Sequence, residues 1–184
     1  YHAPPYSKAV IARILGDFIR DVIDDLLSYT EKNLFVEDNT WNVFFAKELL
    51  ELLPEAKIIH VYRDPRDVVA SFSQQRWSPR DRIQGAHWYK SMMEHWFEVR
   101  NTLDPRSYHE LSLESLVRSP RENLVEICEF ARILFDDTML DLDLSHSHTG
   151  RWKKEYSEEE KREVQKILKN IIKQLGYELE EVQS

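Results

Sequence analysis

Apolar residues recur every three or four positions in several long stretches of the chain, and they cluster in short runs between those stretches. The first spacing is typical of an amphipathic helix, and a short apolar run bounded by polar residues is typical of a strand. The pattern predicts helices over residues 7–27, 41–53, 67–75 and 79–100. It predicts strands over residues 34–37, 57–62 and 108–113.

Two further helices have clear starts. Ser119 is followed by Glu122 and Ser157 by Glu160, a spacing that predicts a capping box, in which serine and glutamate satisfy each other's backbone N–H groups. Gly176 is placed to end the last helix. Strands separated by helices imply a parallel sheet with helices packed on it, so the sequence predicts an α/β fold.

The length, net charge and cysteine content limit the classes of protein to which the chain can belong. The 184 residues suit one compact domain, and we expect a single domain over 1–184. The net charge of -8 argues against a nucleic-acid binder, and no apolar run reaches the roughly 18 residues that a membrane span needs. Cys128 is the one cysteine, so no intrachain disulfide can form, and a reducing, cytoplasmic location fits best. The spacing of cysteine and histidine suggests no metal site.

The sharpest local feature is the stretch IIHVYRDPRDVVASF, residues 58–72. An apolar strand delivers Arg63 at its carboxyl end, and Pro65 then suits the first turn of a helix. Ligands in open α/β sheets collect at the carboxyl ends of the strands. We expect the helix N-terminus to offer free N–H groups to a phosphate, and the guanidinium of Arg63 to bind two of its oxygens.

Ser71 lies one helical turn beyond Asp67, so its hydroxyl can reach back toward the same anion. An alternative stays open from the residues alone. Arg63 can pair with Asp64 or Asp67, with Ser71 a solvated helix residue.

The same stretch resembles the 3′-phosphate-binding motif of the sulfotransferases that use 3′-phosphoadenosine 5′-phosphosulfate (PAPS). That motif is a strand ending in Arg-x-Pro-x-Asp-x-x-x-Ser, and Arg63, Pro65, Asp67 and Ser71 match it in type and spacing. The resemblance implies that Arg63 and Ser71 bind the 3′-phosphate of the co-substrate PAPS and of the product PAP. It also implies a P-loop NTPase-like architecture in which no metal is required.

Two later segments resemble the same family in the same order. LSLESLVRSP (111–120), followed by 128–130, is similar to its "YEDL…P…FL" segment. SHSHTGRWK (145–153) is similar to its late Gly-x-Trp loop, which closes over the nucleotide. The resemblance covers about residues 34–177. It implies three further nucleotide-binding residues, His148, Gly150 and Arg151.

The chain departs from the family at the loop that holds the 5′-phosphosulfate. In relatives this loop follows the first strand and is rich in glycine and serine with a lysine or arginine, but no such loop precedes Leu34. We therefore expect that the chain as given lacks the family's first strand and loop and does not catalyse alone. Asn39 stands where relatives often carry a lysine, which removes a cation near the sulfate.

Glu37 and Asp38 are the candidates for the general base, because relatives use a His or Glu after the corresponding strand. The alternative is a solvated acidic pair that caps a helix. His60 lies in the middle of a predicted strand, and we expect it to be packed in the core.

The leading interpretation is sulfuryl transfer from PAPS to a small-molecule, carbohydrate or lipid hydroxyl acceptor. The second is a non-catalytic 3′-phosphonucleotide-binding or scaffolding module, and the third is a nucleotide-dependent kinase, which the absence of a Walker-type loop weakens. Aromatic residues are expected to border the acceptor pocket: Trp41, Phe44, Trp77 and Trp88. The sequence does not predict an oligomeric state.

Overall fold

The computed structural model describes residues 7–141, 143–144 and 149–181. The chain forms two compact units, Tyr1–Ala56 and Lys57–Ser184. The single domain expected over the whole chain stays a prediction. Within the described ranges, no helix combines the length and the apolarity required to cross a membrane.

The described residues of the first unit, 7–56, form two α-helices and a 3-10 helix. The helix α1 (Lys8–Ser28) begins where the hydroxyl of Ser7 accepts a hydrogen bond from the backbone N–H of Val10. The predicted helix over 41–53 begins as a 3-10 helix (Thr40–Phe45) and continues as α2 (Ala46–Leu52). Asn39 caps its start, since the side-chain oxygen accepts from the N–H of Trp41 at 3.0 Å.

Close contacts join α1 to the end of α2. Arg20 donates from Nε to Glu55 at 2.7 Å and from Nη2 to the carbonyl of Leu52 at 3.2 Å. A Cβ at Gly16 would lie 2.3 Å from the same carbonyl oxygen, so only glycine allows this approach. The apolar stripe of α1 faces outward over much of its length, as the 63% exposure of Phe18 illustrates.

The predicted strand over 34–37 is wrong. Residues 32–39 form neither helix nor strand, and the side chain of Val36 is 76% exposed. A strand is stable only when its backbone groups pair with a neighbour, and the one strand pairing among the described residues lies in the second unit. Residues 34–37 have a local preference for β-structure, but they pair with no described strand and therefore stay irregular.

The second unit holds a parallel pair of strands with helices around it. The strand β1 (Ile58–Tyr62) pairs with β2 (Tyr108–Ser112), with Ile58 opposite Tyr108. The helices α3 (Pro65–Phe72) and α4 (Arg82–Arg100) connect the strands, because parallel neighbours need a crossover. The remaining elements follow β2: α5 (Leu113–Arg118), α6 (Pro120–Ala131), a 3-10 helix (Asp137–Asp141), α7 (Trp152–Glu155) and α8 (Glu158–Gln174). The predicted parallel sheet with flanking helices is confirmed.

The core of this unit lies where α3, α4 and α8 pack on one another. Its wholly buried side chains include Val69, Ala86, Leu168 and Ile172. Burying each large aliphatic side chain stabilises the fold by roughly 1.5 to 3 kcal/mol. This packing fixes the position of α3, which carries Pro65, Asp67 and Ser71 of the motif.

One of the two predicted capping boxes is present. At α8, Ser157 accepts from the N–H of Glu160, whose carboxylate accepts from the N–H of Ser157 at 2.8 Å. The box predicted at Ser119 is wrong, because the N–H of Ser119 donates instead to the carbonyl of Ser115 and ends α5. At the end of α8, Gly176 has a φ of 81°, which confirms its predicted role.

A partly buried polar network joins the strands to α4. The carboxylate of Glu110 accepts from the indole N–H of Trp96 at 2.7 Å and from Arg100, and it lies 3.2 Å from Nδ1 of its cross-strand partner His60. The ring of His60 packs on that of Trp96 at 4.5 Å, as expected for a core histidine. Burial opposes ionisation of Glu110, but these hydrogen bonds and the charge of Arg100 outweigh it and lower its pKa to about 2.

We predict that Glu110→Gln lowers the free energy of unfolding by about 2 kcal/mol at pH 7. Because the folded pKa, about 2, lies below the ordinary 4.5, the carboxylate contributes stability that is present above pH 4.5 and lost as the pH falls toward 2. Urea unfolding at pH 7 and at pH 3 should therefore show a difference from wild type that shrinks in acid. Glu129→Gln, at an exposed position on α6, is the control. An equal difference at both pH values would contradict the prediction.

Candidate functional site

The turn between β1 and α3 is organised by Asp64. Its side chain accepts from the N–H of Arg66 at 2.9 Å, and its carbonyl accepts from Asp67 at 2.9 Å and Val68 at 3.1 Å. Pro65 has no N–H. The expectation that the first turn of α3 offers free N–H groups to a phosphate is therefore wrong, since a carboxylate of this chain already occupies the positive end of the helix.

Arg66 is buried and its guanidinium is held by several hydrogen bonds. Its guanidinium donates to both carboxylate oxygens of Asp64, at 2.9 and 2.7 Å, and to the side chain of Gln165 at 2.8 Å. It also stacks over the ring of Trp152 at 4.2 Å, and the residue is 3% exposed. The sequence pattern does not distinguish Arg66, although this residue lies within the same motif. Its role is to hold α3, α8 and Trp152 together.

Arg63 has a different environment from Arg66. It follows β1, is half-buried, and donates from Nη2 to the backbone carbonyl of Asp67 at 3.0 Å. Within the described part of the chain it forms no ion pair, because the carboxylate of Asp64 is bound by Arg66 and that of Asp67 by backbone N–H groups. The ion-paired alternative for Arg63 is therefore not what the structure shows.

Ser71 lies on α3 one turn after Asp67, whose carbonyl Arg63 contacts. Its hydroxyl makes no hydrogen bond to any described residue, and the side chain is half-buried. The helix places Ser71 on the same face as that carbonyl, because residues four apart are neighbours on a helix surface. The guanidinium of Arg63 and the hydroxyl of Ser71 therefore lie along the same face of α3.

The turn before α7 is bound to α3 through the side chain of Asp67. One carboxylate oxygen accepts from the N–H of Gly150 at 2.6 Å, and the other accepts from the N–H of Trp152 at 3.0 Å. Gly150 has a φ of 76°, a conformation that favours glycine. Asp67 is wholly buried, and burial raises the pKa of its carboxyl above the ordinary value although both N–H groups oppose the shift.

The other two predicted residues of this loop have different outcomes. His148 lies outside the described residues. Arg151 is close to the docked turn, but its guanidinium donates from Nε to Glu155 at 2.8 Å and its side chain is 19% exposed. A contact between Arg151 and a nucleotide stays a prediction, and it would compete with this ion pair.

The candidate general bases belong to the first unit. The carboxylate of Glu37 accepts a hydrogen bond from the side-chain amide of Asn42, and Asp38 is exposed. Their catalytic role stays a prediction. Of the aromatic residues expected at an acceptor pocket, Trp41 and Phe44 lie 6.0 Å apart in this unit.

The two predicted pocket residues of the second unit, Trp77 and Trp88, belong to an aromatic cluster at α3. The rings of Trp77 and Trp88 lie 5.8 Å apart, and both contact Phe72, at 5.6 and 5.0 Å. The two tryptophans were predicted from the sequence, whereas Phe72, which ends the same helix that carries Ser71, was not. Phe72 is buried, Trp88 is half-buried and Trp77 is exposed, so the cluster presents mainly the ring of Trp77 as an apolar surface next to α3.

Two further residues that support the turn were also missed. Glu114 accepts from the backbone N–H of Asp64 at 2.9 Å and from the hydroxyl of Tyr177 at 2.7 Å. Tyr156 donates its hydroxyl to the carbonyl of Arg66 at 2.8 Å. No local pattern predicts these contacts, because the partners lie 50 or more residues apart in sequence.

We predict that Arg66→Ala lowers the free energy of unfolding by about 3 kcal/mol or more, because it leaves the buried Asp64 carboxylate without its cation. Arg63→Ala should lower it by only about 1 kcal/mol, since that change removes one hydrogen bond to a carbonyl. Urea unfolding of the two variants at pH 7 tests the difference. Equal losses would contradict the assignment of separate roles to the two arginines.

Comparisons with known proteins agree with the fold and the motif. The sequence model of the Sulfotransferase family matches residues 6–137. An uncharacterized protein of Aquifex aeolicus (strain VF5) is 29% identical over 111 residues, which cover 54% of this chain and 14% of that protein. The chain thus matches only a small part of that relative's length.

Two solved structures share the fold. A sulfotransferase domain from the curacin biosynthetic pathway has a TM-score of 0.66 and 20% identity, covering 88% of this chain and 69% of that one. A sulfotransferase domain from the Synechococcus PCC 7002 olefin synthase has a TM-score of 0.70 and 19% identity, covering 88% of this chain and 65% of that one. The expected P-loop-like α/β architecture is confirmed. Because the match to the family model extends over more than half of this chain, the chain belongs to the Sulfotransferase family.

Proposed function

We propose that this chain carries the 3′-phosphate-binding part of an enzyme that transfers the sulfuryl group of PAPS to a hydroxyl acceptor and leaves PAP. The observation that carries the proposal is the environment of Arg63. Its guanidinium lies at the carboxyl end of β1, where ligands of α/β sheets bind, and no described carboxylate pairs with it. In a chain of net charge -8, an anion needs such a local cation.

The residues present fit a phosphate group. One N–H of the Arg63 fork is bound to a backbone carbonyl, which leaves the other N–H groups for oxygen atoms of a ligand. The Ser71 hydroxyl has no partner among the described residues and can donate to the same group. A guanidinium and a hydroxyl on a rigid helix form the kind of site that binds a phosphate with defined geometry.

Bound PAPS would supply the sulfuryl group, and the protein would orient it and the acceptor. In the transfer, the acceptor oxygen forms a bond to sulfur, the bond from sulfur to the phosphate oxygen breaks, and the acceptor's proton moves to a base. Glu37 or Asp38 is the proposed base. A carboxylate that already accepts from an amide, as Glu37 does from Asn42, is held in place for such a role.

The proposed acceptor is a small molecule with an apolar or ring-bearing body. The cluster of Phe72, Trp77 and Trp88 next to the candidate site supports this, because aromatic faces bind rings and hydrocarbon chains. Both structural neighbours come from named biosynthetic proteins, one of them an olefin synthase.

The cytoplasmic location stays a prediction, as does the expectation that these residues lack the family's phosphosulfate loop.

A second function is a non-catalytic module that binds 3′-phosphonucleotides. Asn39 favours it, because a neutral residue stands where relatives often carry a lysine and its side chain caps the 3-10 helix instead. Sulfuryl transfer from PAPS by these 184 residues would contradict both this module and the expected lack of a loop.

Calorimetric titration with adenosine 3′,5′-bisphosphate and with AMP tests the proposal. We predict that the protein binds the bisphosphate more tightly, and that Arg63→Ala weakens this binding by about 2 to 4 kcal/mol while binding of AMP changes little. Arg118→Ala removes the same charge from an exposed position on α5 and should leave both affinities unchanged. Equal affinity of the wild type for the two nucleotides would overturn the proposal.

A further inference from the structure

Asp67 is buried in an unusual way for a carboxylate. It is wholly inaccessible, yet it pairs with no cation among the described residues. Its charge is instead stabilised by two backbone N–H groups, those of Gly150 at 2.6 Å and Trp152 at 3.0 Å. A buried carboxylate costs stability unless its hydrogen bonds are satisfied, so these two bonds hold the turn firmly against α3.

The backbone of the same residue positions Arg63. The carbonyl oxygen of Asp67 accepts from Nη2 of Arg63 at 3.0 Å. The N–H of Asp67 donates to the carbonyl of Asp64 at 2.9 Å, which fixes Asp67 in the first turn of α3. The guanidinium of Arg63 and the turn at Gly150 are therefore both held by one residue, although they lie 87 positions apart in sequence.

We propose that Asp67 is a positioning residue for the nucleotide: its carboxylate holds the turn of Gly150 to Trp152 beside the Arg63 guanidinium, so that both meet one bound 3′-phosphonucleotide. The inference rests on the proposed function. Asp67 does not touch the ligand, because both of its carboxylate oxygens face backbone N–H groups of this chain. Its effect on binding is transmitted through the turn and through Arg63.

The conformation of Gly150 provides an independent way to disturb the turn. At a φ of 76° an alanine is strained, although its Cβ would meet no atom within 4 Å. A change at this position thus alters the backbone of the turn without removing the carboxylate or filling the space around it. Asparagine tolerates such a φ better than alanine does and should restore the turn in part.

The test compares Asp67→Asn with wild type. The asparagine side chain can accept from one of the two N–H groups but turns a donor toward the other, so one bond to the turn is lost. We expect the dissociation constant for adenosine 3′,5′-bisphosphate to rise roughly tenfold, as loss of one hydrogen bond to a charged group implies. Amide hydrogen exchange at Gly150 or Trp152 should become faster. Asp81→Asn, the same substitution at the exposed cap of α4, should change neither quantity.

The outcomes separate the inference from the proposed function. Unchanged affinity in a folded Asp67→Asn variant, with the wild type still preferring the bisphosphate over AMP, would overturn the inference alone. A wild type without that preference overturns the proposed function, and with it the inference. If Asp67→Asn does not fold, Gly150→Ala decides: weaker bisphosphate binding, partly restored by Gly150→Asn, supports the inference, and unchanged binding overturns it.

Discussion

Where β1 gives way to α3, the carboxylate of Asp64 accepts from the guanidinium of Arg66 through both oxygens while it also caps the helix. This pair is almost wholly buried, and a buried charge is tolerated only when it is paired and hydrogen-bonded. Arg66 in turn contacts Gln165 of α8 and the ring of Trp152. The pair therefore fixes the relative positions of α3, α8 and the turn before α7.

The ion pair of Asp64 and Arg66 also determines which hydrogen-bonding groups near the start of α3 are left to bind a ligand. Because Arg66 neutralises Asp64, Arg63 is left with a single carbonyl partner among the described residues. Because Asp64 fills the hydrogen-bonding capacity at the start of α3, the helix N-terminus itself cannot serve as the anion site. In the proposed function, the 3′-phosphate is therefore bound by the guanidinium of Arg63 and the hydroxyl of Ser71, which distinguishes the proposed site from a loop of backbone N–H groups.

The sequence predicts most elements of the second unit because their signals are local. The strands at 57–62 and 108–113, the proline at the start of α3 and the capping box at Ser157 depend on neighbouring residues, and the structure confirms them. The predictions at 34–37 and at Ser119 are wrong for the opposite reason. A strand needs a partner strand, and the N–H of Ser119 is taken by the preceding helix.

In the candidate site, too, local sequence patterns do not predict the contacts that depend on distant residues. The resemblance to the family's motif singles out Arg63 and Ser71, but it gives no reason to assign one arginine of the motif to the core and to propose the other for a ligand. That division depends on Gln165, which lies 99 residues after Arg66, and on Gly150, which lies 83 residues after Asp67. Only the packing of α8 on α3 brings these groups together, and no short pattern encodes it.

The separation of the two arginines can be observed directly in the side-chain Nε–H resonances of the protein in solution. During titration with adenosine 3′,5′-bisphosphate, we expect the resonance of Arg63 to shift. That of Arg66, bound to Asp64 through the same nitrogen at 2.9 Å, should stay in place and exchange slowly with solvent. A shift confined to Arg66, with Arg63 unchanged, would contradict the account.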